Sequence, residues 1–398
     1  MDKPDHRDSA AALLPIMGVV FVAFLVIGLA MPVLPLHVHN DLGLGTFLVG
    51  LVAGSQFGVS LISRPWAGNY ADRRGPKRAV VVGLLAAAVS GLLYLASLRF
   101  LGSPGISITI LLLGRSLLGA AESVIITGAV IWGLALVRPE STGKVIAWTG
   151  AAMFGAFAIG APMGASLYGA FGFVAIAAAT TLAPLGTLLM AAPLRGVAPL
   201  PQTRTSLMRV IGAVWVPGLG SALSSIGFGA ITAFVVLLFQ QHGWSRGWLA
   251  YTAFASAFIL TRLVFGHLAD KIGGAKVALV CVLIEAAGQT LIWLAEKPEL
   301  VLAGALFTGI GYSLVYPGLG IEAVRRVPPE SRGLAMGAYT AFLDLALGLG
   351  TPGLGLVAGA AGLGAVFVAS AVAALGAAVI AIRLIHARSP AKVSVCPA

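Results

Sequence analysis

The sequence predicts an all-α membrane protein in which twelve transmembrane helices form two pseudo-symmetric six-helix bundles. Three observations predict this fold: an extreme apolar composition, a series of long apolar runs, and segments that occur twice along the chain. Of the 398 residues, 59% are hydrophobic and only 10% are charged, whereas about a quarter of the residues of a soluble domain are charged. A soluble chain of this size could not bury so much apolar surface, so we expect a polytopic membrane protein.

The apolar runs are long enough to cross a bilayer. A span needs roughly 20 apolar residues, and twelve spans leave about 33 residues for each span with its loop. Because the runs are continuously apolar and do not alternate, they predict helices and not the strands of a barrel. In chain order the predicted spans are 13–37, 47–67, 79–98, 106–134, 144–169, 172–194, 207–239, 248–265, 277–295, 300–323, 334–358 and 362–385.

The break between the sixth and seventh spans is the most polar one that has no counterpart elsewhere in the chain. It runs from Arg195 to Arg209. We therefore predict an N-terminal bundle over residues 1–194, a cytoplasmic linker over 195–209, and a C-terminal bundle with its tail over 210–398.

Several segments occur twice at nearly constant offset. Residues 64–75 (RPWAGNYADRRG) return 198 positions later as residues 262–273 (RLVFGHLADKIG). Further matches, in the same order, relate 114–117 to 311–314 at an offset of 197, and 139–143 to 329–333 and 160–164 to 350–354 at an offset of 190. The order and spacing indicate that whole halves are duplicated, as in transporters built from parallel repeats.

The basic residues report the topology of the chain. The net charge is +11, which would also suit a nucleic-acid partner, but 21 of the 25 Lys and Arg residues fall in alternate polar breaks. Such a bias is the positive-inside rule, and it predicts that both termini and the duplicated loops lie in the cytoplasm. We therefore expect no nucleic-acid partner.

Motifs of soluble enzymes give no support for catalysis. The chain has no HExxH, CxxC, P-loop lysine or GxSxG pattern, so we expect a protein that is not an enzyme and has no catalytic residues, cofactor or metal site. Its two cysteines, Cys281 in an apolar run and Cys396 in the tail, provide no disulfide framework.

Three of these segments resemble signatures of the major facilitator superfamily. Residues 68–78 resemble the cytoplasmic signature between its helices 2 and 3, and Arg115 with Gly119 resembles its intramembrane arginine motif in helix 4. The segment Gly160-Ala-Pro162-Met-Gly164 resembles the helix 5 motif of its drug:proton antiporters, although Ala161 replaces the usual glycine. The resemblance covers the whole chain and implies a bacterial efflux permease of the cytoplasmic (inner) membrane.

The same resemblance implies a gate in the duplicated loop. Asp72 is expected to brace the two halves in one conformational state near the start of helix 11, around residues 332–335; the alternative is an ordinary solvated aspartate in a turn. The predicted gating residues are Gly68, Asp72, Arg73, Gly75 and Arg78 in the first copy and Asp270 in the second.

Charged residues within the spans predict the site of chemistry, because they are costly in lipid and mark functional sites. Arg115 and Glu122 are seven residues apart and so share a helix face, where they would bind protons or an anionic substrate, or form a structural ion pair. Asp344 and Glu285 are candidate proton carriers, since a carboxyl group removed from water can hold a proton near neutral pH. Glu285 could instead face lipid or a packing partner, and Tyr312 is a candidate because it occupies the repeat position of Arg115.

Together these features predict a secondary active transporter that works by alternating access. We expect export of a small organic or amphipathic compound against proton entry, by a monomer whose partners are its substrate, protons and the lipid bilayer. Two alternatives stay open: nutrient uptake or lipid flipping on the same fold, and a membrane sensor or scaffold that transports nothing.

Overall fold

A computed structural model describes residues 6–137, 142–197, 207–328 and 332–387. Of the residues in these ranges, 89% are helical, and twelve of the described helices are long and apolar enough to cross a membrane. In chain order they are α1 (His6–Ala30), α2 (Thr46–Arg74), α3 (Pro76–Ser97), α4 (Pro104–Leu136), α5 (Thr142–Phe171), α6 (Phe173–Ala191), α7 (Leu207–Gln241), α8 (Trp248–Phe265), α9 (Gly274–Trp293), α10 (Pro298–Val324), α11 (Arg332–Ala361) and α12 (Leu363–His386). The predicted fold class is confirmed.

The first membrane segment is longer than α1. Two prolines, Pro32 and Pro35, interrupt its far end, and the chain continues through a short helix at Leu34–Leu36 and a π-helical turn at His37–Asp41. The whole segment spans Leu13–Asp41, which extends the predicted span 13–37 because the π-helical turn keeps the polar end of the segment helical.

The duplication is visible in the backbone. All six glycines with positive φ in the described residues form three pairs that relate one half to the other. Positive φ suits glycine because it has no Cβ, so the same sharp turns are preserved in both halves. The pairs are Gly43 with Gly243, Gly75 with Gly273, and Gly172 with Gly362.

Helix packing repeats in the same way. In the first half α1 packs on α5, α2 on α4, and α3 on both α4 and α6; in the second half α7 packs on α11, α8 on α10, and α9 on both α10 and α12. The two halves meet where α2 packs on α11 and α5 packs on α8. The seam between the halves is therefore itself pseudo-symmetric.

Small residues allow α2 and α11 to approach closely. A Cβ on Gly54 would lie 2.9 Å from Cδ of Pro352 and 3.0 Å from two carbonyl oxygens of α11. Gly58 and Gly348 also face each other, and Thr46 donates a hydrogen bond of 2.8 Å to the carbonyl oxygen of Gly355. The backbones of the two halves are in contact here, as helices with small residues permit.

The structure corrects the boundaries of the duplicated segment. In the first copy α2 continues through Arg74, so residues 68–74 are helical and the connection to α3 is Gly75 alone. In the second copy α8 ends at Phe265, and a separate short helix, Leu268–Ile272, precedes α9. These two connections carry several exposed basic residues, and we call this end of the bundle the basic end.

Arg64 and Arg262, which sequence analysis assigned to cytoplasmic loops, lie within α2 and α8. The residues outside the described ranges include both chain ends, the repeated segments 139–141 and 329–331, and most of the predicted linker, 198–206.

Candidate functional site

An ion pair joins the two halves near the middle of the molecule. Nε and Nη2 of Arg64 in α2 donate to the two carboxylate oxygens of Asp344 in α11, the second bond measuring 3.1 Å. The Asp344 side chain is 2% exposed and that of Arg64 is 25% exposed. Ten residues separate Arg64 from the last residue of α2, so the pair lies about 15 Å from the basic end.

A second carboxyl group lies beside this pair in the first half. Nε2 of Gln56 in α2 donates a hydrogen bond of 2.5 Å to Glu122 in α4. Glu122 also interacts electrostatically with Arg64, Arg115 and Asp344. The two candidate carboxyl groups, predicted on different halves, are thus brought to one site, and both interact with Arg64.

Arg115 is buried against α2. Its Nε donates to the carbonyl oxygen of Val52 at 3.3 Å, and its Nη1 is buried with no hydrogen-bond partner among the described residues. Val52 and Gln56 are one helical turn apart on α2. Arg115 and Glu122 therefore both face α2, as their predicted shared helix face implies.

Three tyrosines of the second half contribute to the site. Tyr316 in α10 shares a hydrogen bond of 2.6 Å with Thr340 in α11, and Tyr339 donates 2.9 Å to the carbonyl oxygen of Tyr316. Tyr312 is buried, hydrogen-bonds Ser225 at 3.2 Å and interacts electrostatically with Tyr316. Tyr316 also interacts electrostatically with Arg64 and Asp344. The tyrosines and the ion pair therefore belong to one polar site.

Glu285 is buried inside the second half and does not face lipid. It is fully buried in α9, and Ser224 in α7 donates a hydrogen bond of 2.5 Å to its Oε2. Gly227 and Gly311 pack directly against it. Of the two alternatives for Glu285, the structure therefore supports a packing partner over contact with lipid.

The antiporter-like motif of α5 packs against α1. A Cβ on Gly160 would lie 2.8–2.9 Å from the backbone of Gly28, and one on Gly164 would overlap the carbonyl of Leu29. Pro162 lies within the same stretch of helix. These small residues let two helices of one half touch, and the equivalent stretch of α11, around Pro352, touches α2 across the seam.

The predicted gating residues lie at the basic end. Asp72 is half-buried near the end of α2, Arg73 is exposed beside it, and Gly75 has a φ of +92°. Arg78, in the first turn of α3, and Asp270, in the short helix after α8, are both exposed. Nothing packs within 4 Å of a Cβ placed on Gly68.

Sequence analysis missed Arg64 as a site residue, because it was counted among the basic residues that report topology. A signal was present: both Arg64 and Arg262 fall inside predicted spans, at the same position of the repeat. Among the described residues, no cluster of three or more His, Cys, Asp or Glu side chains could hold a metal ion.

Comparisons with known proteins agree with this architecture. The model of the Major Facilitator Superfamily matches residues 16–251 and 218–395. An uncharacterized MFS-type transporter of Pseudomonas aeruginosa (strain LESB58) is 43% identical over 391 residues, which cover 97% of each chain. Among solved structures, a D-xylose-proton symporter has a TM-score of 0.75 at 15% identity and covers 94% of this chain and 98% of its own. A bacterial homolog of the human lysosomal transporter Spinster, inward-facing and occupied, has a TM-score of 0.73 at 16% identity, with 95% and 97% covered.

Proposed function

The chain is a multi-pass membrane transporter of the Major Facilitator Superfamily, and we propose that it exports a small organic or amphipathic compound in exchange for protons. The observation that carries the proposal is the Arg64–Asp344 ion pair, which joins the two halves beside a second carboxyl group, Glu122. A proton can weaken a charged contact across the seam. This matters because alternating access requires the two halves to separate and rejoin at each end.

Proton binding at this site would change the contact between the halves. A proton on Asp344 removes the charge that holds Arg64, so α2 and α11 lose their charged contact. A proton on Glu122 instead removes a charge that competes with Asp344 for Arg64. Either event changes the relative free energies of the two conformations, which coupling requires. We assign the proton to this pair of carboxyl groups, and Glu285, hydrogen-bonded behind Tyr312, to packing.

The helix 5 motif supports export, and the charge distribution supports the orientation of the protein in the membrane. Gly160, Pro162 and Gly164 hold α5 against α1 at backbone distance, the arrangement that a motif of drug:proton antiporters would need. The basic end is assigned to the cytoplasm, as the positive-inside rule implies, with both termini on that side of a bacterial inner membrane. Residues 1–194 and 210–398 are the two moving halves of a monomer, and 195–209 is their linker.

Asp72 is proposed as the gate at the cytoplasmic end. It occupies the same position of the repeat as Asp270, three residues before the glycine of the turn, but it is half-buried whereas Asp270 is exposed. We expect Asp72→Asn to change the accessibility of cysteines placed at the two ends of the molecule, and Asp270→Asn to change it less. Unchanged transport and unchanged accessibility in Asp72→Asn would exclude the gating role.

Transport in proteoliposomes tests the proposed exchange. Purified protein is reconstituted, a pH gradient is imposed, and a panel of amphipathic compounds is added while internal pH is followed. We expect one or more compounds to move protons in the wild type, and Glu122→Gln and Asp344→Asn to abolish this movement. Glu296→Gln, which changes an exposed carboxyl group outside the spans, is the matched control. Proton movement that survives both substitutions would contradict the proposal.

A further inference from the structure

Arg64 and Arg262 occupy equivalent positions in the two halves, yet their partners differ. The offset of 198 relates Arg64 in α2 to Arg262 in α8, and the offset of 190 relates Phe154 in α5 to Asp344 in α11. Arg64 meets Asp344 across the seam between α2 and α11. At the equivalent place between α8 and α5, the position of the carboxylate is held by Phe154.

Arg262 consequently has aromatic neighbours and, in the part of the chain that the structure describes, no carboxylate partner. Its guanidinium lies 5.6 Å from the centre of the Phe258 ring, and Phe258 stacks on Phe154 with ring centres 3.6 Å apart. Across the seam, its Nη1 is 3.8 Å from where a Cβ on Gly150 would lie. Within the described ranges, the electrostatic neighbours of Arg262 are Tyr312, Tyr316 and Tyr339, and they include no carboxylate.

An arginine within a span, without an acidic partner, needs an explanation. Charged residues in membrane spans are costly and normally pair with one another or face a cavity. Contact with an aromatic ring stabilises a cation by about 0.5–1 kcal/mol at an exposed site and about 2 kcal/mol at a desolvated one, and it does not use the hydrogen-bond donors of the guanidinium. The side chain is partly exposed, so these donors are accessible to a ligand.

We propose that Arg262 binds the anionic group of the substrate, and that the substrate is a monocarboxylate with an apolar body. A guanidinium presents parallel N–H donors that match the two oxygens of one carboxylate. The equivalent Arg64 is already paired with Asp344, whereas Arg262 has no acidic partner among the described residues, so its position suits one negative charge. This inference rests on the proposed transport function and names the chemical class of its substrate.

An apolar cavity beside Arg262 fits the rest of such a molecule. The cavity, of about 800 Å³, is open to the surface, lies between α1, α5, α6 and α8, and is lined by apolar residues, among them Phe21 and the exposed Trp148, Met190 and Leu263. Leu263 directly follows Arg262, and the lining residue Ala151 directly follows Gly150. Its volume is within the range of sites for drug-sized ligands, so an amphipathic anion could place its carboxylate on Arg262 and its apolar body here.

Binding of matched probes tests the site without any transport. The full-length protein in detergent is titrated with 1-naphthoate and with 1-naphthamide, a neutral molecule of nearly the same shape, by calorimetry. Since a charge-assisted hydrogen bond contributes about 1.5–3 kcal/mol, we expect 1-naphthoate to bind the wild type about 10- to 100-fold more tightly than the amide. Equal affinities of the two probes for the wild type would overturn the proposal.

Substitutions at the site separate a binding role from a structural one. Arg262→Gln should remove the preference for 1-naphthoate and retain amide binding, and Arg262→Lys should reduce the preference several-fold. Phe154→Asp leaves the arginine in place but supplies the carboxylate that Arg64 has, so it should also remove the preference. Arg246→Gln, in an exposed loop, is the control. A preference for 1-naphthoate that persists in Arg262→Gln or Phe154→Asp, or that is undiminished in Arg262→Lys, would overturn the proposal.

The two proposals fail differently. If Arg262→Gln removes the preference but wild-type proteoliposomes exchange no protons for any compound, the anion site stands and proton-coupled export fails. If proton exchange is present but is driven by neutral or cationic compounds and is unchanged in Arg262→Gln, export stands and the anion site fails.

Discussion

Removing the charge of Asp344 should loosen the basic end of the molecule. The substitution Asp344→Asn keeps the size and shape of the side chain but leaves the Arg64 guanidinium without its carboxylate. Because the pair lies on the basic-end side of the close contact between α2 and α11, we expect the halves to separate there while the opposite end stays closed.

The size of the effect follows from the burial of the pair. Removing one partner of a buried ion pair costs about 3–5 kcal/mol. Arg64 is 25% exposed and Asp344 only 2%, so the uncompensated arginine can be partly hydrated, and the lower value, about 3 kcal/mol, is the better estimate. At 1.4 kcal/mol per factor of ten, this shifts the equilibrium between conformations by about a hundredfold.

Distances between spin labels measure the shift. In a background without the two native cysteines, one pair of labels replaces the exposed Arg195 and Arg325 at the basic end, and a second pair replaces the exposed Arg99 and Lys297 at the opposite end. We expect Asp344→Asn to lengthen and broaden the distances of the first pair only.

A double substitution provides the sharper control. If the pair joins the halves as described, Asp344→Asn combined with Arg64→Gln should be less destabilising than the sum of the two single changes, since neither charge is then left unpaired. Unchanged label distances in Asp344→Asn, together with additive effects on the melting temperature, would refute the reasoning.

Three further predictions concern the coupling site, the seam and the turn. Glu122→Gln should abolish proton-driven transport but retain substrate exchange without a gradient, because it removes a titratable group and keeps a side chain that can bond Gln56; loss of both activities would contradict this. Gly54→Ala should lower the melting temperature by forcing α2 from α11, at a cost of about 1–3 kcal/mol, whereas Gly105→Ala, with nothing within 4 Å of its Cβ, should not. Gly75→Ala should cost about 1–3 kcal/mol because its φ of +92° and ψ of +147° lie in a region that side chains with a Cβ rarely adopt, whereas Gly68→Ala, in a helix with open space around it, should be neutral or stabilising.

Much of the fold could be predicted because its signals are local. Each span is a continuous apolar run, and lipid requires such a run to satisfy its own backbone hydrogen bonds as a helix. Boundaries were less certain where polar residues remain helical: residues 68–74 extend α2 although they contain four charged or amide side chains. Hydrophobicity along the sequence does not reveal the part of a helix that extends beyond the membrane.

The site was only partly predictable. Glu122 and Asp344 stand out in the sequence because carboxyl groups within apolar runs are rare, and the structure brings both to Arg64. Arg64 itself could not be distinguished from the basic residues that follow it in the chain, because the sequence does not tell where along α2 the lipid ends. The environment of Glu285, inside the second half, was equally undetermined.

By itself, the sequence determined the helices, their number and the duplication of the two halves, since these depend on composition and spacing along the chain. Only the tertiary structure decided which charges are paired. Arg64 and Asp344 are separated by 280 positions, and they meet because glycines let α2 and α11 pack at backbone distance. The equivalent contact, between α5 and α8, has Phe154 at the position of the carboxylate and leaves Arg262 without an acidic partner among the described residues, because pseudo-symmetry preserves positions and not the residues that occupy them.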